Sequence, residues 1–352
     1  MPGYVNPTRA ARVALERIPY DSSAWEATIE GHPDLEVFHG SAWLDYLAAS
    51  QGAEPVIAVV RAGGRSVGHF VGAMVRRYGI RILGSPLRGW GTQCMGFLLE
   101  DGFDRRRAAE ALLPFAFGDL GCLHVELADR HLTGDQMAGA GYAVETGRTF
   151  VVDLARPEEE IFAGMRQKTR QYLRKAARLE LRPEVATGPD FADDFYGQLV
   201  DVFGHQGLVP TYGVERVRQL IRALQPTGQL LLMRVLGPEG RCVASGVSIG
   251  RNRTAVNWGA AFFRADSELH PNEVLWWEAM RYWRSRGATR YDMGGGGDYK
   301  AKYGGAETPT FHFHRSRYGV LRYGRSGVRS LFRARQFLAG RGMGGKSTRR
   351  QG

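Results

Sequence analysis

The segment from Asp292 to Gly305, DMGGGGDYKAKYGG, concentrates the side chains with most to offer chemically. Lys300 follows a strand-like stretch and a run of four glycines, a residue type that lets backbone approach a ligand closely. A lysine so placed can set a positive charge beside a bound group, or stand as a surface lysine next to a flexible loop. Lys302 shares the segment and can exchange roles with it. Asp292, ending the stretch TRYDM, can accept a proton or orient an amine, and can equally be structural. Tyr299 and Tyr303 position a substrate or pack, packing being the simpler account of Tyr303. Gly294 to Gly297 has the composition of an anion cradle, yet no Walker or dinucleotide spacing accompanies it.

A second group of candidates lies in Arg156 to Leu181, RPEEEIFAGMRQKTRQYLRKAARLEL. Pro157 at the start, glutamates in the first turn and a dense basic second half suit the two ends of a helix dipole. Ile161, Phe162, Met165, Tyr172, Leu173 and Ala176 keep an approximate helical period, so one helix is expected across the stretch. Arg170 and Arg174 lie four apart and share a side, and guanidinium forks match phosphate; Lys168 is a weaker addition. The alternative is a solvated charged face. His205 is a candidate proton carrier by residue type but stands alone. In FHFH, Phe311 to His314, aromatic and His residues alternate as in an edge strand, and two His at i and i+2 make a poor metal site. Neither a Ser/His/Asp order nor a Cys/His pair is evident, so a covalent enzyme intermediate is not expected.

These residues need a scaffold, and 352 residues suit two domains of roughly 150 residues each. Hydrophobic content of 43% is enough for two cores and excludes wholesale disorder. Val56 to Arg61 and Ser66 to Arg76, hinged on Gly63-Gly64, read as a hairpin after a short helix at Ser41 to Ser50 with Ser41 as its cap. A helix at about 105–120, Gly121 and a strand at Leu123 to Leu127 follow. The order returns in the second half: hairpin Leu230 to Leu236 with Cys242 to Ile249, helix Glu273 to Arg286, Gly287, strand Thr289 to Met293. An internal duplication follows from order and pattern. The expected division is 1–155 as a first lobe, 156–182 as a basic linker helix, 183–318 as a second lobe and 319–352 as a basic tail.

Net charge is +11, and residues 315–352 hold eleven Lys and Arg and no acid, which leaves the body neutral. Such a strip attracts polyanions such as tRNA or anionic lipid, or is simply a solvated tail. Val328, Leu331, Phe332, Phe337 and Leu338 among its arginines have the pattern of a basic amphipathic helix able to lie on an anionic membrane. Cys94, Cys122 and Cys242 have no metal-ligand or disulfide spacing, which fits a reducing cytoplasm. No stretch approaches the ~20 apolar residues that span a bilayer. The expected location is cytoplasmic, with peripheral contact at the inner face of the membrane.

Three segments in order, KTRQYLRKA, LHPNEVLWWEAMRYWRSRGATRYDMGG and YKAKYGG, resemble the FemABX family of aminoacyl transferases and the related CelD-like acetyltransferases. The resemblance runs from about Phe38 to Tyr318. It implies an α/β (α+β) fold of two tandem GNAT-like lobes, each a mixed sheet flanked by helices. It implies an acyltransferase that forms an amide: an amine attacks an activated acyl carbon, the ester of an aminoacyl-tRNA, and the acceptor is a peptidoglycan or other cell-envelope precursor. In that setting Lys300 and Asp292 are the catalytic candidates, Lys300 neutralising an oxyanion or donor phosphate. Lys168, Arg170 and Arg174 would hold the diphosphate of a nucleotide- or lipid-linked acceptor, and Tyr212, Tyr299 and Lys302 complete the substrate set. No tightly bound cofactor, metal or DNA is implied. The alternative donor is acetyl-CoA or another acyl-CoA, against which RADSELHPNEV has no RxxGxG/A pyrophosphate loop. One departure is visible: the inserted helix pair of staphylococcal-type members is absent, since Leu181 runs almost directly into the next element.

Overall fold

Gly63 and Gly64 turn the chain where the apolar runs on either side predict a hairpin, and both adopt positive φ. The computed structural model describes residues 12–319 apart from Tyr78. Along the chain come β1 (Val13–Ile18), α1 (Ser22–Ile29), α2 (Ser41–Gln51), β2 (Glu54–Ala62), β3 (Arg65–Arg77), β4 (Ile80–Ser85) and β5 (Gly96–Leu99). They are followed by α3 (Arg105–Pro114), β6 (His124–Leu127), β7 (Ala143–Asp153), α4 (Glu158–Gly164), α5 (Gln167–Arg178), β8 (Arg182–Val185) and α6 (Phe191–Gly204). Then come α7 (Val214–Leu224), β9 (Leu230–Leu236), β10 (Cys242–Arg251), β11 (Thr254–Phe262), α8 (Pro271–Ser285), β12 (Arg290–Asp292) and β13 (Ala306–Ser316).

Contacts divide the described chain into two units. The first takes residues up to Asp34, Gly52–Glu145 and Phe311–Arg317; the second takes Leu35–Gln51 and Thr146–Thr310. In unit 1 the strands run β1-β2-β3-β4-β6-β13 with β5 on β3, and β4 and β6 are parallel. In unit 2 the order is β7-β12-β11-β10-β9-β8, with β11 and β12 parallel. Each unit therefore contains an antiparallel meander, a covering helix and a parallel strand: β2-β3-β4, α3 and β6 in the first, β9-β10-β11, α8 and β12 in the second. Two lobes, each a mixed sheet flanked by helices, are what the family resemblance implied.

The lobe boundaries differ from those expected. α2 belongs to unit 2, where it packs on α7, and the last stretch of β13 belongs to unit 1. Arg156 to Leu181 is two helices rather than one linker, with Met165 and Arg166 extended between them. The break has a local cause, because the Arg166 N–H bonds the Lys302 carbonyl (2.9 Å) instead of a helical partner. Leu173 and Ala176 then bury α5 in the unit 2 core with Trp276, Met280 and Tyr303. The tail and its amphipathic pattern lie outside the described residues. Among the described residues no helix is long and apolar enough to cross a membrane.

His312 and His314 are in a paired strand, since β13 lies along β6 with Phe313 opposite Leu127 and His314 opposite Glu126. Phe313 enters the unit 1 core. The two imidazoles face the other way, His312 Nε2 at 3.3 Å from Glu126 and His314 Nε2 at 3.3 Å from Glu145, with His124 Nε2 at 3.4 Å from Glu126. No group of ligands able to hold a metal ion occurs among the described residues.

On β3 of the same unit, His69 meets Trp25 edge-on at 5.5 Å, and burial together with His32 pushes its imidazole below the ordinary value. Burial likewise lowers His32. Unfolding exposes both to water, where they take up a proton near pH 6.5. Their contribution to stability is thus whole above that pH and is lost as pH falls through it toward the lower folded values. His69→Phe is expected to shrink the drop in melting temperature between about pH 7.5 and about pH 5.5; thermal melts at the two pH values check it, and an unchanged drop contradicts the assignment.

Candidate active site at the β11–β12 fork

β12 is only three residues long, and it pairs with Thr254, Ala255 and Val256 at the start of β11. Beyond Val256 the two chains part, leaving Asn257 to Phe262 of β11 without β12 as a neighbour. A register irregularity between Val247 and Ser248 of β10 falls opposite this point and places Trp258 as the extra residue. β-Bulges of this kind bend a strand and re-aim its side chains. At the fork Asn257, Trp276 and Tyr291 line a cavity of about 10 Å³ with Ser248 and Leu275. Its size suits one water. The buried Trp276 Nε1 has no hydrogen-bond partner, nor does the buried Tyr303 hydroxyl, whose ring lies 5.6 Å from that of Trp276.

Asp292 ends β12 and is buried, its carboxylate accepting from Thr149 Oγ1 (2.5 Å) and from the Gly294 N–H (2.9 Å). Thr149 lies on β7, so the carboxylate ties two strands and the turn that follows. Gly294 and Gly295 both have φ near +70°, where an L side chain is strained, so the chain reverses here on glycine. Lys300, on a 3₁₀ turn spanning Asp298–Tyr303, closes the turn. Its ammonium donates to the carbonyl of Met293 (2.9 Å) and to those of Gly294 and Gly295. Burial pushes this ammonium below the ordinary lysine range, and the neighbouring Asp292 charge opposes that push.

An ammonium has three donors, and here three carbonyls receive them. Asp292 is likewise engaged by donors of the fold. Arg170 is redirected. Its guanidinium bonds the carbonyls of Ala163 (2.7 Å) and Met165, satisfying acceptors at the end of α4. Arg174 does share a side with Arg170, but that side faces α4, with the Arg174 guanidinium 5.9 Å from the Phe162 ring. Gly304 makes this junction: with φ of +81° it passes so close to α4 that a Cβ would stand 2.9 Å from the Gly164 carbonyl oxygen.

Lys302 binds the buried carboxylate of Glu273 at 2.6 Å, in the first turn of α8. His270, immediately before that helix, stacks on Tyr172 of α5 with ring centroids 3.6 Å apart. Lys168 lies 5.6 Å from the Tyr172 ring on the same helix, and its bond to the Tyr172 hydroxyl raises its pKa. Burial lowers the His270 imidazole while Glu273 works in the opposite direction. Tyr299 is exposed beside Lys300. Tyr212 stands apart, 5.4 Å from Trp258 and under the Arg216 guanidinium, which bonds the Tyr46 hydroxyl at 2.9 Å. So the fold joins Asp292, Lys300 and Tyr299 in one cluster and Lys302 and Lys168 in an adjoining one. Glu273, His270, Tyr172 and Thr149 escaped the sequence reading. The first two were within reach, because Pro271 at a helix start with an acid two residues on marks a first turn.

The meander, covering helix and forked parallel strand define a GNAT-type acyltransferase fold, and residues 163–303 match the family model described as an acetyltransferase (GNAT) domain. The solved structure of FemX is similar, with a TM-score of 0.69 at 13% identity, covering 86% of this chain and 97% of FemX. A tandem GNAT protein from the clavulanic acid biosynthesis pathway gives a TM-score of 0.51 at 13% identity, over 86% of this chain and 98% of its own. L-PGS from Bacillus licheniformis gives 0.53 at 13% identity, over 85% and 93%. No curated protein matches by sequence.

Two substitutions test the construction of the site. Lys300→Met strips buried carbonyls of their donor and is expected to lower unit 2 stability by about 1–3 kcal/mol, read from urea unfolding. Gly304→Ala forces a side chain into a left-handed conformation costing about 1–2 kcal/mol before any clash with Gly164. Its expected signature is a lower urea midpoint than Gly287→Ala, whose added Cβ meets nothing within 4 Å although its φ is also positive.

Proposed function

We propose that this chain is an N-acyltransferase that moves an aminoacyl group from aminoacyl-tRNA to an amine on a peptidoglycan or other cell-envelope precursor, working at the β11–β12 fork of unit 2. The FemX-like fold and the FemABX-like order of KTRQYLRKA, LHPNEV and YKAKYGG support the reaction class. The observation that carries the donor is the first turn of α8. A helix start receives the pyrophosphate of a nucleotide through free N–H groups and a positive dipole end. Here that turn carries the buried Glu273 carboxylate, held by Lys302 and flanked by the His270–Tyr172 stack. A diphosphate brought to the same turn meets a buried carboxylate already paired with Lys302.

In the reaction the acceptor nitrogen attacks the ester carbonyl carbon, the carbon–oxygen bond to ribose breaks, the amine gives up a proton and the ribose oxygen gains one. Direct attack needs no covalent enzyme intermediate. Lys300 and Asp292 hold the glycine turn against β12, which keeps the fork open at a fixed width; their contribution is to position backbone. Lys168, Tyr299 and Lys302 lie along the approach to this fork and contact substrate, while Tyr212 shapes the neighbouring wall. An acceptor bearing a nucleotide or lipid diphosphate is the class that the family resemblance implies.

The acetyltransferase family match favours a second reading, transfer from acetyl-CoA or a longer acyl-CoA to an amine in polysaccharide, lipid or secondary-metabolite tailoring. Labelled amino acid on tRNA, offered with an extract of envelope precursors, separates the two. The expected result is label in an amide product, abolished when RNase is added first. Label arriving from acyl-CoA, with none from charged tRNA, would replace this reading by the second.

A further inference from the structure

Several cations elsewhere in unit 2 are neutralised at close range. Arg148 pairs with Glu307, Arg156 with Glu160, Arg218 with Asp193, Arg234 with Asp190 and Asp194, and Arg281 with Glu158. α5 is different. Arg166, Lys168, Arg174, Lys175 and Arg178 stand on or just before it, and residues 166–178 include no acid. Among the described residues none of these five is in an ion pair with a carboxylate. Lys175 Nζ instead donates to the Glu268 carbonyl at 3.0 Å, and Arg178 Nε to the Arg174 carbonyl.

Printed along the same surface are aromatic rings. Tyr172 sits between Lys168 and Lys175 in sequence and stacks on His270, so one edge of α5 presents cation, stacked rings and cation in succession. Contacts join this edge to the fork: the Arg166 N–H bonds the Lys302 carbonyl, Lys302 holds Glu273, and exposed Tyr299 stands three residues before Lys302. A row of unneutralised positive charge interleaved with flat rings is the surface that single-stranded nucleic acid selects, phosphates on the cations and bases on the rings. A lipid headgroup layer uses the charge but has no need of the rings. At a rise of ~1.5 Å per residue, α5 spans roughly the length of a few nucleotides.

We propose that the α5 face formed by Lys168, Tyr172, Lys175 and Arg178 binds single-stranded RNA and leads its end to the β11–β12 fork. This rests on the proposed use of charged tRNA and adds the surface that receives it.

Fluorescence anisotropy of the full chain with a short labelled single-stranded RNA tests it. The variants are the triple charge reversal Lys168→Glu, Lys175→Glu and Arg178→Glu, and separately Tyr172→Leu, each first shown by thermal melting to keep its fold. The charge reversal is expected to weaken binding by at least about tenfold and to flatten its salt dependence by about 0.7 of a log unit per lost contact. Tyr172→Leu should weaken binding with the salt slope unchanged. RNA affinity equal to wild type in the charge reversal overturns the proposal. So does loss of co-sedimentation with phosphatidylglycerol vesicles while RNA affinity stays intact, which assigns the face to a membrane. Wild-type RNA binding without any transfer from charged tRNA would sink the proposed donor and leave this surface standing; undiminished transfer by the charge reversal at subsaturating tRNA would do the opposite.

Discussion

A buried ammonium closing a glycine turn is the constraint on which the second unit's chemistry rests. Lys300 supplies donors to three successive carbonyls, and Asp292 supplies an acceptor to the N–H that follows β12. Four glycines without these contacts would be free to take many conformations, and ordering them costs more entropy than ordering any other residue type. With the contacts, the turn is tied to the end of β12, which stops after three residues while β11 runs on. The fork exists because one strand is held short.

Burial makes this arrangement costly, and the neighbouring charges offset that cost. Lys300 loses water, which disfavours its charged form, yet Asp292 stands near enough to counter part of the loss. The same logic recurs one turn of chain later, where Lys302 compensates the buried Glu273. Two lysines in one short segment thus serve two different carboxylates, one ending a strand and one starting a helix. They are not interchangeable, although their spacing in YKAKY makes them look so.

How much of this the sequence discloses depends on the range over which each feature is decided. The duplicated meander, helix and strand follow from local periodicity and glycine placement, and they appear with small shifts: Gly40 rather than Ser41 receives the first helical bond of α2, and α8 begins at Pro271 rather than Glu273. Lys300, Asp292, Tyr299 and Lys302 were legible as a group because they are adjacent in sequence. Their roles were not, since a lysine that reaches outward and one that folds back onto carbonyls have the same sequence. Arg170 shows why. Helical spacing correctly put it beside Arg174, but which neighbour that side meets depends on the break at Met165–Arg166, set by the Lys302 carbonyl more than a hundred residues away. Glu273, His270 and Tyr172 come together only through the packing of α5 against α8.

The imidazoles of β13 have a consequence for how unit 1 finds its strand pairing. Apolar and polar side chains alternate along FHFH, so sliding the strand by one residue would thrust His312 and His314 into the core and turn Phe313 toward Glu126 and Glu145. Both faces would object at once, one by burying polar groups among hydrocarbon and the other by stranding carboxylates beside a ring. The cluster works as a keyed joint: it adds little adhesion to a correct pairing and makes the neighbouring incorrect ones prohibitive. A strand arriving last, from the far end of the chain, is the one most in need of such a key.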